Sequence, residues 1–209
     1  GNDGGADLSH DGGVTWRRLD GQPLAQFYTI YADMAEPYNV YGGTQDNGTL
    51  KGSSRTRWEL GEDWSFLNGG DGMYVAVDDA GGDTYTGYQF GHYTRMDKDG
   101  KRHEVRPRSP LDQPPLRFNW ATPVILSSHN PQIVYMAANR LYRSMDRAKT
   151  WTAISPDLTR SKERGNVPFG TITTVSESTF RFGLLAVGTD DGHVHVSRDG
   201  GLNWQQVDQ

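Results

Sequence analysis

Two aspartates have the residue type and surroundings that could support acid–base chemistry. Asp46 lies in the segment Gln45-Asp46-Asn47-Gly48, and Asp71 lies in Gly69-Gly70-Asp71-Gly72. Glycoside hydrolysis uses a pair of carboxyl groups held at roughly 5–9.5 Å from each other. Asp46 and Asp71 are therefore the candidate catalytic pair. The same segments are also strong turn and tight-loop signals, so a structural role is the competing interpretation.

Further polar and aromatic side chains fall in segments that are expected to surround this pair. Amides and acids pair with sugar hydroxyls, while aromatic rings stack on sugar CH faces, so the set suits a glycan. Asp190-Asp191-Gly192 within it is also a turn signal. The candidate ligand-binding residues are Gln45, Asn47, Tyr88, His92, Phe118, Asn119, Trp120, Asn139, Arg140, Asp190 and Asp191.

Other kinds of site find less support. The 209 residues contain no Cys, which excludes disulfides, thiol catalysis and thiolate metal sites. His193 and His195 alternate along a predicted strand and share a face, but no third ligand accompanies them, so we predict no metal site. There is also no phosphate-binding loop, and we predict no cofactor.

The charge pattern narrows the range of partners. A net charge of -5 with scattered Lys and Arg gives no basic face, so nucleic acid is not an expected partner. Arg102, Arg106 and Arg108 are clustered, and we expect a solvated loop there, with an anion site as the alternative. No apolar stretch approaches the roughly 20 residues of a membrane span, so no direct span is predicted.

An octapeptide that occurs three times indicates the elements that position these side chains. Its copies are Ser9–Trp16, Ser144–Trp151 and Ser197–Trp204, with the pattern Ser-x-Asp-x-Gly-x-Thr-Trp. Asp and Gly favour a tight hairpin turn, Thr begins the returning strand, and Trp is expected to be buried between sheets. The structural set is Ser9, Asp11, Trp16, Ser144, Asp146, Trp151, Ser197, Asp199 and Trp204.

Short β-branched and aromatic runs precede the hairpins at a pitch of about 45–50 residues, as in propeller blades of four strands. We predict an all-β chain, a β-propeller of four-stranded antiparallel blades with about four and a half blades present. Blades pack on two neighbours, so the half-blade predicts a larger propeller whose remaining blades lie in another segment or chain. We expect residues 1–209 to form one propeller segment, with a half-blade at 7–20 and blades near 22–66, 67–108, 116–160 and 166–209.

The octapeptides resemble the Asp-box, or BNR, repeat of sialidases, sortilin-type receptors and xyloglucan-degrading glycoside hydrolases. Val40–Gly48, Gly69–Val75, Pro115–Trp120, Ile154–Thr159 and Gly188–Gly192 resemble a group of large exported bacterial proteins. That group is called BNR-repeat or sortilin-like, and its members are often labelled putative glycosyl hydrolases. The resemblance covers nearly the full length and implies a periplasmic or extracellular location. It implies no established reaction, because fold alone does not fix function.

The resemblance also implies where a ligand would bind. The Asp-box hairpins join the third and fourth strands of a blade, opposite the ligand mouth. The mouth is formed by loops between second and third strands and by the blade connections at 61–72, 106–121 and 155–170. Asp46 has a position similar to that of a catalytic Asp in the xyloglucan-degrading enzymes, although their Asp-Ile-Gly-Gly motif is replaced here.

Two functions are compatible with these features. The favoured one is a binding or scaffold module that presents a loop-lined face to a glycan or protein partner, without evident catalysis. The alternative is a glycoside hydrolase, or half of its site, with Asp46 and Asp71 as acid and base.

Overall fold

The computed structural model describes residues 1, 6–19, 25–57, 64–160 and 169–208. These residues form strands and turns without a helix. The first strands, β1 (Asp7–Leu8) and β2 (Arg17–Arg18), make a two-stranded antiparallel hairpin. All later strands belong to four antiparallel sheets of four strands each.

The four sheets are simple meanders, with neighbouring strands consecutive in the chain. Sheet I contains β3 (Phe27–Ala32), β4 (Asn39–Thr44), β5 (Gly48–Ser53) and β6 (Ser65–Asn68). Sheet II contains β7 (Ala76–Val77), β8 (Thr84–Tyr88), β9 (His92–Met96) and β10 (Arg102–Glu104). Sheet III contains β11 (Val124–Leu126), β12 (Val134–Ala137), β13 (Leu141–Ser144) and β14 (Thr152–Ala153). Sheet IV contains β15 (Ile172–Glu177), β16 (Leu185–Thr189), β17 (Val194–Ser197) and β18 (Gln205–Gln206).

The sheets are arranged as four consecutive blades of a β-propeller, which confirms the predicted all-β propeller of four-stranded antiparallel blades. Each sheet contacts the next one in sequence: β6 contacts β8, β7 contacts β11, and β12 contacts β15. The first strands of sheets I to III line a common axial space of about 480 Å³. The fourth strand of sheet I continues to Asn68, beyond the blade limit expected at 66. The expected blade starts at 22 and 166 lie outside the described residues.

Apolar side chains fill the spaces between sheets. Between sheets II and III, Tyr85, Tyr93 and Met136 are fully buried, and Tyr93 Oη donates a hydrogen bond of 2.7 Å to the Thr122 carbonyl. Between sheets III and IV, Tyr135 and Leu185 occupy a second buried cluster. Burying such a side chain contributes roughly 1.5–3 kcal/mol, so these interfaces hold neighbouring sheets together.

Glycine lets the backbones of sheets I and II approach closely. A Cβ atom at Gly43 would collide with the Met73 carbonyl, and one at Gly72 would collide with the Gly48 carbonyl. The Gly72 amide donates a hydrogen bond of 2.9 Å to the Thr44 carbonyl across this contact. The Gly-rich segment around Asp71 is therefore needed for sheet packing, whatever else it does.

The octapeptides form the hairpins between third and fourth strands. In the second copy, Asp146 Oδ1 accepts hydrogen bonds from the Thr150 amide (2.9 Å) and from Ser144 Oγ (2.8 Å), and Ser144 Oγ accepts one from the Ala148 amide (2.8 Å). Asp11 and Asp199 make the corresponding bonds with Thr15 and Asn203. These contacts are those of tight turns.

The expected burial of the hairpin Trp rings differs between copies. Trp151 and Trp204 pack against the two buried clusters, and Trp204 Nε1 donates to the Ile154 carbonyl at 2.9 Å. Trp16 is 66% exposed, so the prediction is wrong there. The reason is that the Trp16 ring has no adjacent sheet among the described residues, and its Nε1 donates only to the nearby Gly13 carbonyl.

One face of sheet I is apolar and uncovered among the described residues. Phe27, Ile30, Trp64 and Phe66 are 39%, 68%, 41% and 62% exposed. Phe27 packs over Gly42, which pairs with Ile30, so these side chains share one face. In sheets II, III and IV, the corresponding face is covered by the sheet that precedes each of them in the chain.

Candidate functional site

The expected mouth is one end of the sheets, and we call it the mouth face. It comprises the turns β4–β5 (45–47), β8–β9 (89–91), β12–β13 (138–140) and β16–β17 (190–193), with the connections 69–75 and 105–123. The octapeptide hairpins lie at the opposite end, because successive strands of each sheet are antiparallel. Residues 61–63 and 161–168 of the predicted mouth connections lie outside the described residues.

The structure brings Asp46 and Asp71 together, through the backbone of Asp46. Asp71 Oδ1 accepts a hydrogen bond of 2.8 Å from the Asp46 amide, and the Asp71 amide donates one of 3.3 Å to Gln89 Oε1. Asp71 is 8% exposed, whereas Asp46 is exposed and has a φ of 63°. The buried carboxylate thus stabilises the turn that carries the exposed one. Gln45 and Asn47 flank Asp46 in the same turn.

Next to this pair lies a cluster of rings around Arg106, which we call the Arg106 cluster. Tyr88 stacks on His92 at 4.9 Å between ring centroids, and His92 Nε2 lies 3.2 Å from Arg106 Nη1. The Arg106 guanidinium lies 4.4 Å above the Phe118 ring. Burial and the neighbouring Arg106 lower the pKa of His92, so the neutral imidazole accepts the hydrogen bond from Arg106. Phe118 is buried at 4% exposure, so its ring is not an open sugar platform.

Asn139 belongs to a polar network that ties sheet III to the connection before it. Its Oδ1 accepts the Arg117 amide at 3.2 Å, and its Nδ2 donates to Asp157 Oδ2 at 2.9 Å. Arg117 Nη2 donates to the same carboxylate oxygen at 2.8 Å and to Thr159 at 2.9 Å. Burial opposes ionisation of Asp157, but hydrogen bonds from Thr159, Arg117 and Asn139 outweigh it and lower the pKa.

Asp190 and Asn119 connect the strands of sheet IV with the preceding connection. The Asp190 carboxylate accepts bonds from the Gly170 amide (3.0 Å), the Thr171 amide (2.9 Å) and Thr171 Oγ1 (2.6 Å). Asn119 Nδ2 donates to the same Thr171 hydroxyl at 3.0 Å. Asp191 accepts a bond of 2.6 Å from the Arg160 amide. These side chains hold the mouth loops in place, and a ligand would have to compete for them.

Trp120 offers an open ring on the mouth face. It is 39% exposed and packs edge-on against Phe90, at 5.2 Å between centroids and 88° between planes. The Phe90 amide donates a hydrogen bond of 3.2 Å to the Trp120 carbonyl, so the loop that carries the ring is anchored. Arg140 lies in the β12–β13 turn and is half-buried. The ligand-binding roles of all these side chains stay predictions.

The two alternating histidines have separate protein partners. His193 Nδ1 lies 2.9 Å from Asp208 Oδ2, and Arg160 Nε donates to His193 Nε2 at 3.3 Å. His195 is buried, with Nε2 2.9 Å from the Leu158 carbonyl. Their rings share a face as expected, at 5.8 Å between centroids. No group of three potential metal ligands occurs among the residues that the structure describes.

Sequence reasoning missed Arg106 as a site residue, because it grouped Arg102, Arg106 and Arg108 as one solvated loop. The structure separates them: Arg102 Nη2 donates to the Leu67 carbonyl at 2.7 Å, and Arg108 is an exposed partner of Glu104 at 3.4 Å. Arg106 alone is drawn over Phe118. The one sequence feature that distinguishes Arg106 is its position immediately before Pro107. Its proximity to an aromatic ring cannot be read from residue spacing.

Comparisons with known proteins identify fold relatives. No protein-family model matches the chain, and no curated protein matches it. A GH74 enzyme from Niastella koreensis is similar at a TM-score of 0.55 and 16% identity, over 88% of this chain and 30% of that one. YCF48 from Cyanidioschyzon merolae is similar at a TM-score of 0.57 and 15% identity, over 90% and 58%. YCF48 bound to D1 peptide is similar at a TM-score of 0.51 and 12% identity, over 94% and 59%.

The chain therefore spans less than two thirds of the length of each of these structures. At such identities the likeness shows the β-propeller fold alone. Among the described residues, no helix is both long and apolar enough to cross a membrane.

Proposed function

We propose that this chain is a propeller binding module whose mouth face receives a protein or glycan partner. The observation that supports this most is the way the mouth loops are held. Asp71, Asp190 and Asn139 are used to anchor loops, which leaves Trp120, Tyr88 and Arg106 as the groups displayed on a rigid frame. A preorganised face of this kind lowers the entropy cost of binding.

The comparisons are compatible with a protein partner. One fold relative is a YCF48 protein bound to D1 peptide, so a propeller of this type can hold a peptide. The resemblance to exported bacterial proteins supports a periplasmic or extracellular location, where both kinds of partner occur. Under this proposal the protein requires no cofactor.

The uncovered face of sheet I supports a second partner, namely a further propeller sheet supplied by another segment or chain. The same face of sheet IV buries Leu185 and Val187 against sheet III, so a neighbouring sheet is the occupant that this geometry fits. The β1–β2 hairpin precedes sheet I and has the octapeptide of a blade's last two strands. A larger propeller would use both features.

Binding to immobilised protein tests the mouth-face proposal. A glycan array and a peptide array supply candidate partners. The affinity of each partner is then measured for the wild type, Trp120→Ala and Met145→Ala. Met145 is 56% exposed at the octapeptide end, so it is the matched control. We expect Trp120→Ala to weaken binding about tenfold or more, as for a central aromatic contact, and Met145→Ala to leave it unchanged. Equal binding by all three proteins, or no binding to either array, would contradict the proposal.

A glycoside hydrolase is the second candidate, because the structure places Asp71 against the Asp46 turn on the mouth face and a GH74 enzyme is a fold relative. Release of reducing sugars from a β-glucan panel tests it. Asp46→Asn should abolish release without lowering thermal stability, since Asn also tolerates positive φ. Unchanged release, or none from the wild type, removes this candidate.

A further inference from the structure

A cavity of about 440 Å³ opens beside the Arg106 cluster, in the connection between sheets II and III. Its wall has three prolines and two leucines together with Arg106, Arg108 and Phe118. The lining residues used here are Arg106, Arg108, Pro107, Pro110, Leu111 and Leu116. The cavity lies at the mouth end, because Arg106 contacts His92 at the start of β9.

Arg106 is a half-buried cation without an anionic partner among the described residues. No carboxylate in those ranges lies within 4.0 Å of its guanidinium, and its one hydrogen-bond partner is His92. Arg106 Nε is buried and has no acceptor. Burial lowers the pKa of Arg106, and the nearby Glu104 partly offsets this. Such a cation binds a carboxylate more favourably than a solvated one does, since it is already partly desolvated.

The rest of the cavity wall is mostly apolar and is stiff. Proline has little conformational freedom to lose, and the loop is braced because Ser109 Oγ donates to the Pro114 carbonyl at 2.7 Å. The Gln113 amide donates to the Pro110 carbonyl at 3.1 Å, which closes a turn in the same loop. Leu111 is fully exposed at the rim. Glu104, Arg108, Ser109 and Gln113 also line the cavity, but six of its eleven lining residues are apolar, so the wall can pack apolar side chains beside a carboxylate.

We propose that this cavity binds an acidic peptide segment, in which a side-chain carboxylate pairs with Arg106 and the flanking apolar side chains pack on the prolines. The proposal rests on the binding function proposed above and specifies the ligand of one part of the mouth face. His92 fixes the guanidinium from one side and Phe118 from below, so the carboxylate approaches along the remaining edge. Glu104, exposed and paired with Arg108, lies at the rim and would favour a ligand with one carboxylate rather than several.

The test uses a panel of capped nonapeptides with a central Glu between apolar residues, each matched by a peptide with a central Gln. Dissociation constants are measured for the wild type, Arg106→Gln and the control Arg55→Gln. We expect the best Glu peptides to bind the wild type about tenfold tighter than their Gln matches. Arg106→Gln should abolish this preference, and Arg55→Gln, whose side chain is 72% exposed and does not line the cavity, should retain it.

Leu111→Asp is a second variant that avoids any folding problem, because Leu111 is fully exposed. Its added carboxylate should weaken the Glu peptides more than the Gln peptides, which lose only an apolar contact. The inference fails if no Glu peptide is preferred by the wild type, or if the preference survives in Arg106→Gln. It also fails if oligogalacturonate binds more tightly in an Arg106-dependent manner, which would make the ligand an anionic glycan. Binding that depends on Trp120 but not on Arg106 or Leu111 would overturn this inference and leave the binding function intact.

Discussion

At the scale of single residues, one carboxylate of the mouth face stabilises the turn that carries another. Asp71 is buried and accepts the Asp46 amide at 2.8 Å, which stabilises a turn that requires φ of 63° at Asp46. A structural role for Asp71 does not exclude catalysis by Asp46. Substitutions of Asp46 and of Asp71 should therefore differ in their effect on stability, which distinguishes a role in folding from a role in catalysis.

Replacing Asp46 by Gly tests the turn directly. Gly adopts positive φ without strain, so Asp46→Gly should change the free energy of unfolding by less than about 1 kcal/mol. Asp71→Ala leaves the Asp46 amide without its acceptor and should cost about 1–3 kcal/mol. Urea denaturation of both variants measures the difference. A larger loss in Asp46→Gly than in Asp71→Ala would contradict this account of the turn.

The sequence identified the turn residues of the mouth but not their contacts. Asp46 and Asp190 lie in turns, as Asp-Asn-Gly and Asp-Asp-Gly indicate. The hydrogen bonds from Thr171 to Asp190 and from Arg117 to Asp157 join residues 19 and 40 positions apart, and no local pattern specifies them. Arg106 was missed for the same reason, since its environment depends on Phe118, at the far end of the same connection, and on His92 in β9.

At the scale of elements, the octapeptide hairpin depends on a charged acceptor. Burial opposes ionisation of Asp146, but hydrogen bonds from Thr150 and Ser144 lower its pKa to about 2. Asp146→Ala removes these bonds and should destabilise the protein by about 1–2 kcal/mol at neutral pH. Asp112→Ala, at an exposed position in the connection to sheet III, should change stability by less than about 0.5 kcal/mol.

The pH dependence of this effect follows from the sign of the shift. Since the folded pKa of Asp146 is lowered below 3.8, its contribution is complete above 3.8 and is lost as the pH falls through about 2. The stability gap between the wild type and Asp146→Ala should therefore be constant from about pH 7 to pH 5 and should narrow in stronger acid. A gap that widened in acid would contradict the role of the ionised carboxylate.

The second hairpin departs from the repeat in an informative way. Arg147 and Ala148, both with φ of 61°, stand where the other copies have glycine pairs. Arg147 reaches sheet II, where Nη1 lies 3.2 Å from Asp83 Oδ2, and Arg95 lies 3.5 Å from the same oxygen. The strained backbone is thus offset by a charge link between neighbouring sheets.

Two glycine substitutions separate strain from charge. Arg147→Gly relieves the backbone but weakens the pairing of a buried carboxylate, and the net result should be a loss of about 1–2 kcal/mol, since Arg147 is itself partly exposed. Ala148→Gly at the same φ keeps the link and should change stability by less than about 1 kcal/mol. Thermal denaturation of both variants measures the two changes in stability. Stabilisation by Arg147→Gly would show that strain outweighs the charge link.

Strand patterns predicted the elements well because each strand is short and bounded by turn residues. The meander order and the hairpins between third and fourth strands follow the prediction. The first strand of sheet II, Ala76–Val77, is shorter than the apolar run Met73–Val77 that predicts it, because Met73 and Tyr74 lie in the packed connection to sheet I. Apolar character alone does not distinguish a paired strand from a buried connection.

At the scale of the whole molecule, apolar side chains are distributed unevenly over the sheets. In sheets II, III and IV, the face toward the preceding sheet is covered by that sheet. On the corresponding face of sheet I, the side chains of Phe27, Ile30, Trp64 and Phe66 are solvent-accessible in the described structure. Large contiguous apolar patches are rare on monomeric soluble proteins and mark interaction surfaces. The sequence repeats predicted the blades. The packing of the sheets was needed to identify the face that is uncovered.

This face should make the chain associate when it is studied alone. Ile30 and Phe66 are the most exposed members of the row, at 68% and 62%, so Ile30→Lys with Phe66→Lys places charge at its centre without removing core contacts. We expect sedimentation equilibrium to show concentration-dependent mass for the wild type and a reduced dependence for the double variant, with a parallel fall in binding of an apolar dye. Leu202→Lys is the control, because Leu202 is 84% exposed on a hairpin away from this face. A wild-type chain that stays monomeric and binds no dye would show that the face is stable in water, and the proposed neighbouring sheet would lose its main support.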